Sequence, residues 1–88
     1  YLKDNPTLEI NEPTDGQVFS KNQKEITISG KTDIGNTITI NDRFVQIKDD
    51  GSFTFLLRLN DGENLIVVMS KDLGGNSTKI ERKVTYNP

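Results

Sequence analysis

The 88-residue chain contains no cysteine, no histidine and no tryptophan. Without cysteine no disulfide can staple the fold, so a small disulfide scaffold is excluded and an apolar core must hold the domain. Without histidine or cysteine the usual nucleophile–base pairs cannot be assembled. Long hydrophobic runs are missing too. The longest is the five residues 65–69, far short of the roughly 20 needed to span a bilayer, so membrane insertion is not expected. An excess of one charge is also absent. Eleven Lys and Arg stand against 13 Asp and Glu, a net charge of −2, and such a chain has no broad basic field for nucleic acid. Turn residues recur too often for a helix of ordinary length. The first residue is Tyr1 rather than Met. The chain is therefore expected to be an excised or processed piece of something longer, and its sequence is silent on a leader.

What is present is alternation. The most strongly patterned stretch runs from Asp50 to Asn76, DGSFTFLLRLNDGENLIVVMSKDLGGN. Phe53, Phe55, Leu57 and Leu59 fall at every second residue, the period of a strand with one face on a core. Residues 65–69 are apolar throughout, which reads as a central strand. Asp50-Gly51, Asp61-Gly62 and the segment 72–76 punctuate the stretch with turn chemistry. The whole reads as a hairpin of two long strands.

Elsewhere Leu8 and Ile10, Ile26 and Ile28, Ile38 and Ile40, Val45 and Ile47, and finally Ile80, Val84 and Tyr86 alternate in the same way. Val18 is expected to join this core. Arg82 sits in the inward phase of the last strand, where it must snorkel to an edge or mark a bulge. About seven strands separated by frequent turns point to a two-sheet all-β sandwich over residues 7–86. Residues 1–6 and 87–88 read as linkers, the latter leading to a next module. One core of this size makes one domain.

The residues Asp50, Gly51, Phe53, Leu59, Gly62, Asn64, Ile66, Val68, Asp72, Gly75 and Asn76 form the pattern D-G-x-F, L-x-x-G-x-N-x-I-x-V, D-x-x-G-N. Together with Pro13, Gly16, Gly30 and Ile40-Asn41 they resemble the bacterial immunoglobulin-like modules of the glucodextranase domain B type. The resemblance implies an immunoglobulin-like β-sandwich of about seven antiparallel strands in two sheets, repeated in tandem in secreted or cell-surface prokaryotic proteins. It implies a non-catalytic spacer or accessory role, with Asn64 capping the turn after Gly62. Neighbouring domains of the same chain are the expected partners, and the module alone is expected to be monomeric. The alternative is an adhesion or binding module for a protein, cell-wall polymer or glycan.

Candidate sites follow from the turns and from one strand face. All eight Asp residues lie in expected turns or linkers. With strands alternating in direction, Asp33, Asp49, Asp50, Asp72 and Asn76 share the N-terminal pole, an oxygen-rich set of the kind Ca²⁺ takes at a junction between modules. Asp and Asn are equally the preferred turn residues of any sandwich, and no other cofactor is expected. Leu65, Val67 and Met69 face outward beside Leu56 as an apolar stripe that could meet a partner. A sugar platform would need exposed aromatics; the candidates are Phe19, Phe44 and, beside the linkers, Tyr1 and Tyr86. Ser70-Lys71 cannot form a dyad, because adjacent strand residues point to opposite faces.

Overall fold

The structure is a computed structural model and describes residues 6–88. The described residues form eight strands and no helix: β1 (Leu8–Glu12), β2 (Val18–Ser20), β3 (Glu25–Thr32), β4 (Thr37–Ile40), β5 (Arg43–Val45), β6 (Ser52–Arg58), β7 (Gly62–Lys71) and β8 (Ser77–Asn87). A three-stranded sheet has the order β1-β3-β6, and a five-stranded sheet the order β2-β8-β7-β4-β5. The expected two-sheet immunoglobulin-like sandwich is what the chain forms. One strand more is present than the seven expected, and not every pair is antiparallel, because β2 runs parallel to β8.

The split between β1 and β2 has a local cause. Pro13 has no N–H to give a ladder, and the β1 register already shifts between Ile10 and Glu12. The chain turns at a cis Glu12–Pro13 bond and crosses to the other sheet. There Gly16 donates its N–H to the Lys83 carbonyl at 2.6 Å, and Gln17 accepts from the Thr85 N–H at 3.0 Å. Asp15 accepts from the Lys83 N–H at 2.8 Å. In β2, Phe19 pairs with Tyr86 and turns inward, while Val18 pairs with Thr85 and points out. The core therefore takes Phe19, 6% exposed, and leaves Val18 60% exposed, the reverse of the expected assignment. Three residues are too few for alternation to reveal its phase.

The stretch from Asp50 to Asn76 is not a hairpin. Strand β6 bonds to β3, and β7 bonds to β4 and β8, so the Asn60–Gly62 link is an arch between sheets. The true long hairpin is β7–β8, in continuous register from Gly62–Tyr86 to Lys71–Ser77. Turn chemistry fixes a change of direction, not which strand is met next. Because that register is unbroken, Arg82 marks no bulge. It lies half-buried opposite Ile66 and reaches the Glu81 carbonyl at 3.3 Å.

Between the sheets, Ile28, Ile38, Ile40, Phe53, Leu59, Ile66, Val68 and Val84 are fully buried. Gly30 lets β1 and β3 close, since a Cβ there would overlap the Glu9 carbonyl and the Phe53 ring. Asn41 and Asp42, at φ 49° and 70°, make the two-residue turn between β4 and β5, as such a pair favours. Pro6, expected in the linker, is buried, and β8 continues through Asn87 rather than stopping at Tyr86.

Candidate functional site

Two buried polar residues define the N-terminal pole. Thr32 on β3 is 5% exposed and Ser70 on β7 is fully buried. Their hydroxyl oxygens lie 2.6 Å apart and so bond one sheet to the other. Thr32 donates to the Thr7 carbonyl at 2.6 Å, and the Asn36 amide donates to Ser70 at 3.2 Å. With the Thr32 proton used on Thr7, Ser70 must donate to Thr32. The result is a one-way chain of donors, Asn36 to Ser70 to Thr32 to Thr7, that satisfies each buried hydroxyl. The same pole holds the incoming segment in two further ways. Thr7 donates its N–H to Asp33 at 3.0 Å, and Thr78 donates to the Pro6 carbonyl at 2.6 Å. Ser70 is thus part of the scaffold, while its neighbour Lys71 is exposed on the other face.

Of the five oxygen residues expected near this pole, Asp50, Asp72 and Asn76 bond within their own turns, and Asp33 ties down the incoming segment. Asp33 accepts from Thr7. Asp50 accepts from both the N–H and the hydroxyl of Ser52, at 3.0 and 2.6 Å. These two bonds, the hydroxyl's first, hold the Asp50 carboxyl below its ordinary value of 3.8. Asp72 accepts from the N–H of Asn76 at 2.9 Å and from its side-chain amide at 3.2 Å. Asp49 is exposed on the turn before Gly51. Among the described residues no three acidic side chains come together to hold a metal ion.

The outward stripe divides. Leu65, Val67 and Met69 lie on β7, opposite Lys83, Glu81 and Lys79 of β8, on the outer face of the five-stranded sheet. Leu56 lies on β6, opposite Thr27 in the other sheet, and so cannot extend the stripe. Its place is taken by two residues the sequence did not assign there. Phe44, 80% exposed, pairs with Thr39, which pairs with Met69. Val18 borders Thr85, which pairs with Glu63 beside Leu65. Leu65 itself is 51% exposed. The charged row of β8 runs between the β7 residues and Val18, with Lys79–Glu81 at 3.7 Å and Lys83–Glu63 at 3.9 Å. Two further apolar tips escaped sequence reasoning: Ile34 after β3 and Leu73 after β7 are both largely exposed. A lone apolar residue inside a turn carries no periodic signal.

The sugar-platform candidates separate as clearly. Phe19 and Tyr86 are core residues; the Tyr86 hydroxyl donates to the Lys21 carbonyl at 2.9 Å, and the Lys24 ammonium lies over its ring at 5.7 Å. Phe44 is left as the exposed aromatic of the described residues, and Tyr1 falls outside them. Asn64 behaves as expected of a cap. Its side chain accepts from the Asn60 N–H at 2.9 Å and donates to the carbonyls of Asn60 and Gly62 at 2.9 and 3.1 Å.

Comparison with known proteins bears on the fold and the family. No curated protein matches the chain at a significant level. Among solved structures it is similar to the fibronectin(III)-like modules of Clostridium thermocellum CbhA, with a TM-score of 0.67 at 14% identity. That match covers 99% of this chain and 49% of the other, so the chain spans about half of that structure, and at this identity the likeness concerns the fold. The family model described as "Glucodextranase, domain B" matches residues 6–87, nearly everything described above. The chain belongs to the glucodextranase domain B family.

Proposed function

We propose that this domain is a non-catalytic spacer or accessory module set in line with other domains of a secreted or cell-surface prokaryotic protein. The observation that carries this is where the chain comes in and where it leaves. Pro6 is held beside Thr78 near the start of β8. The chain exits past Asn87, at the far end of the same strand. Nine residues of extended chain separate those points, about 30 Å, so the ends lie at opposite poles. A domain with that arrangement lengthens a string, whereas one with adjacent ends hangs from it. The turn carboxylates and the buried Ser70 already serve the scaffold, which fits a module without chemistry of its own. Modules in the plural, in the structure this chain half covers, fit a serial arrangement.

Two copies joined tail to head through residues 1–6 test the reading by small-angle scattering. The longest dimension is expected to grow by about 50 Å per added copy, close to the 49 Å length of one domain. Side-by-side packing of the copies would refute the in-line role. Turnover of a glucan or peptide substrate by the purified domain would refute the non-catalytic one.

A second reading, adhesion to a protein or glycan, draws on the apolar outer face around Leu65, Val67, Met69 and Phe44. In a binding assay against the parent protein's own targets, Leu65→Lys would abolish capture at unchanged melting temperature if that face is the contact. Loss of stability would instead mark Leu65 as packing.

A further inference from the structure

The crossing of the first strand leaves half of β3 without a neighbour. β1 pairs with Thr32, Lys31, Gly30 and Ser29 and goes no further, while β6 accompanies β3 along its whole length. On the β1 side, the residues from Glu25 to Ile28 are open. The parity of the ladder says which groups face that opening. Thr32 gives its N–H to Gly51, and the Lys24 carbonyl receives the Leu59 N–H. Even-numbered residues of β3 therefore bond toward β6, and the N–H and carbonyl of Glu25 and Thr27 face the gap. No strand of the described residues takes them up.

The gap is a shaped cavity of about 250 Å³ lined by Glu12, Pro13, Gln17, Phe19, Gln23, Glu25, Ile26 and Thr27. Phe19 and Ile26, both nearly buried, form an apolar wall on its inner side. Gln17 and Gln23 have their carbonyl oxygens tied to the N–H groups of Thr14 and Ser20 at 3.0 and 3.1 Å. Two carboxylates stand on the wall and no cation does. Neither Glu12 nor Glu25 makes an ion pair with a described residue. Lys24, next in sequence, is not part of the lining and holds its ammonium over Tyr86.

We propose that this gap receives an extended basic peptide segment, which adds to the open edge of β3 between the end of β1 and strand β2. Main-chain pairing to Glu25 and Thr27 supplies the docking. Alternation then sets the sequence of the guest. Side chains turned inward meet Phe19 and Ile26 and must be apolar. Those turned outward lie in the row of Glu25 and next to Glu12 and must be cationic. The guest reads basic–apolar–basic. This goes beyond the in-line module reading, and its failure would leave that reading untouched.

The test uses two capped peptides, Lys-Val-Lys-Val-Lys and Glu-Val-Glu-Val-Glu, titrated into the 88-residue domain at low salt. Backbone amide shifts are followed by NMR. The lysine peptide is expected to perturb Phe19, Glu25 and Thr27 and to bind more weakly as salt is raised; the glutamate peptide is expected not to bind. Glu25→Lys, whose side chain is exposed, is expected to weaken the lysine peptide by about tenfold, and to lower the melting temperature slightly by facing Arg58 across the ladder. Thr27→Pro, which removes an N–H from the open edge, is expected to abolish it. Should that variant fail to fold, Glu12→Gln with Glu25→Gln gives the same reading through charge alone. Equal binding of both peptides, shifts centred on Leu65 or Phe44, no binding at all, or indifference to Glu25→Lys would each overturn the proposal.

Discussion

The dipeptide Asp-Gly occurs three times in this chain, at 15–16, 50–51 and 61–62, and the last two copies do different work. Both glycines hold a positive φ, 90° and 85°. Gly51 is buried, and a Cβ there would run into the carbonyl of Thr32; around Gly62 there is open space. At the first turn Asp50 secures Ser52. At the second the neighbouring Asn64 does the bonding, reaching back to Asn60 and Gly62. The first turn is thus defined by a strand brought against it from distant sequence, and the second by its own amides. Identical letters give one backbone shape; what makes that shape obligatory lies elsewhere.

Substitution separates the two. Gly51→Ala combines an unfavourable φ with the clash against Thr32 and should cost about 3 kcal/mol. That is a large share of the roughly 5–10 kcal/mol expected for a domain of this size, and denaturant unfolding would measure it. Asn64→Ala removes three hydrogen bonds from the arch and should cost about 2 kcal/mol by the same measurement. Gly62→Ala meets no neighbour and should cost about 1 kcal/mol, from φ alone. If Gly62→Ala proved as damaging as Gly51→Ala, the contrast between the turns would collapse.

The smallest effect concerns the Asp50 carboxyl. Its folded value lies below the ordinary 3.8, so its contribution is present above that value and lost as pH falls through the lower folded one. Melting temperature measured from about pH 5 to about pH 2 should therefore fall slightly less in Asp50→Ala than in the unsubstituted domain. An identical acid profile would remove the Ser52 bonds from the account.

Much of this architecture was legible because alternation reports burial directly. Ile26, Ile28, Ile38, Ile40, Ile66, Val68 and Val84 all take the inward positions their spacing assigned. What the spacing could not convey was partnership. Residues 50–76 show two good strands and a good turn, and nothing local says that β6 and β7 belong to different sheets. The same blindness placed Leu56 beside Leu65, although the two project from opposite outer faces of the sandwich. Phase failed at Val18 and Phe19, where the strand is three residues long. The polar chain through Ser70 and Thr32 was invisible for another reason: it joins residues 38 apart in sequence, and a single hydroxyl in an apolar strand has no signature of its own.

The parallel pairing of β2 with β8 bears on how the domain would carry a load. The chain is held at one pole and leaves at the other, so tension along it draws β2 toward the N-terminal pole and β8 toward the opposite one. Because the two strands run the same way, they would have to slide past each other. The ladder from Val18–Thr85 to Ser20–Asn87, with the flanking bonds of Gly16 and Gln17, is then strained in shear, all rungs together, instead of being peeled open one rung at a time.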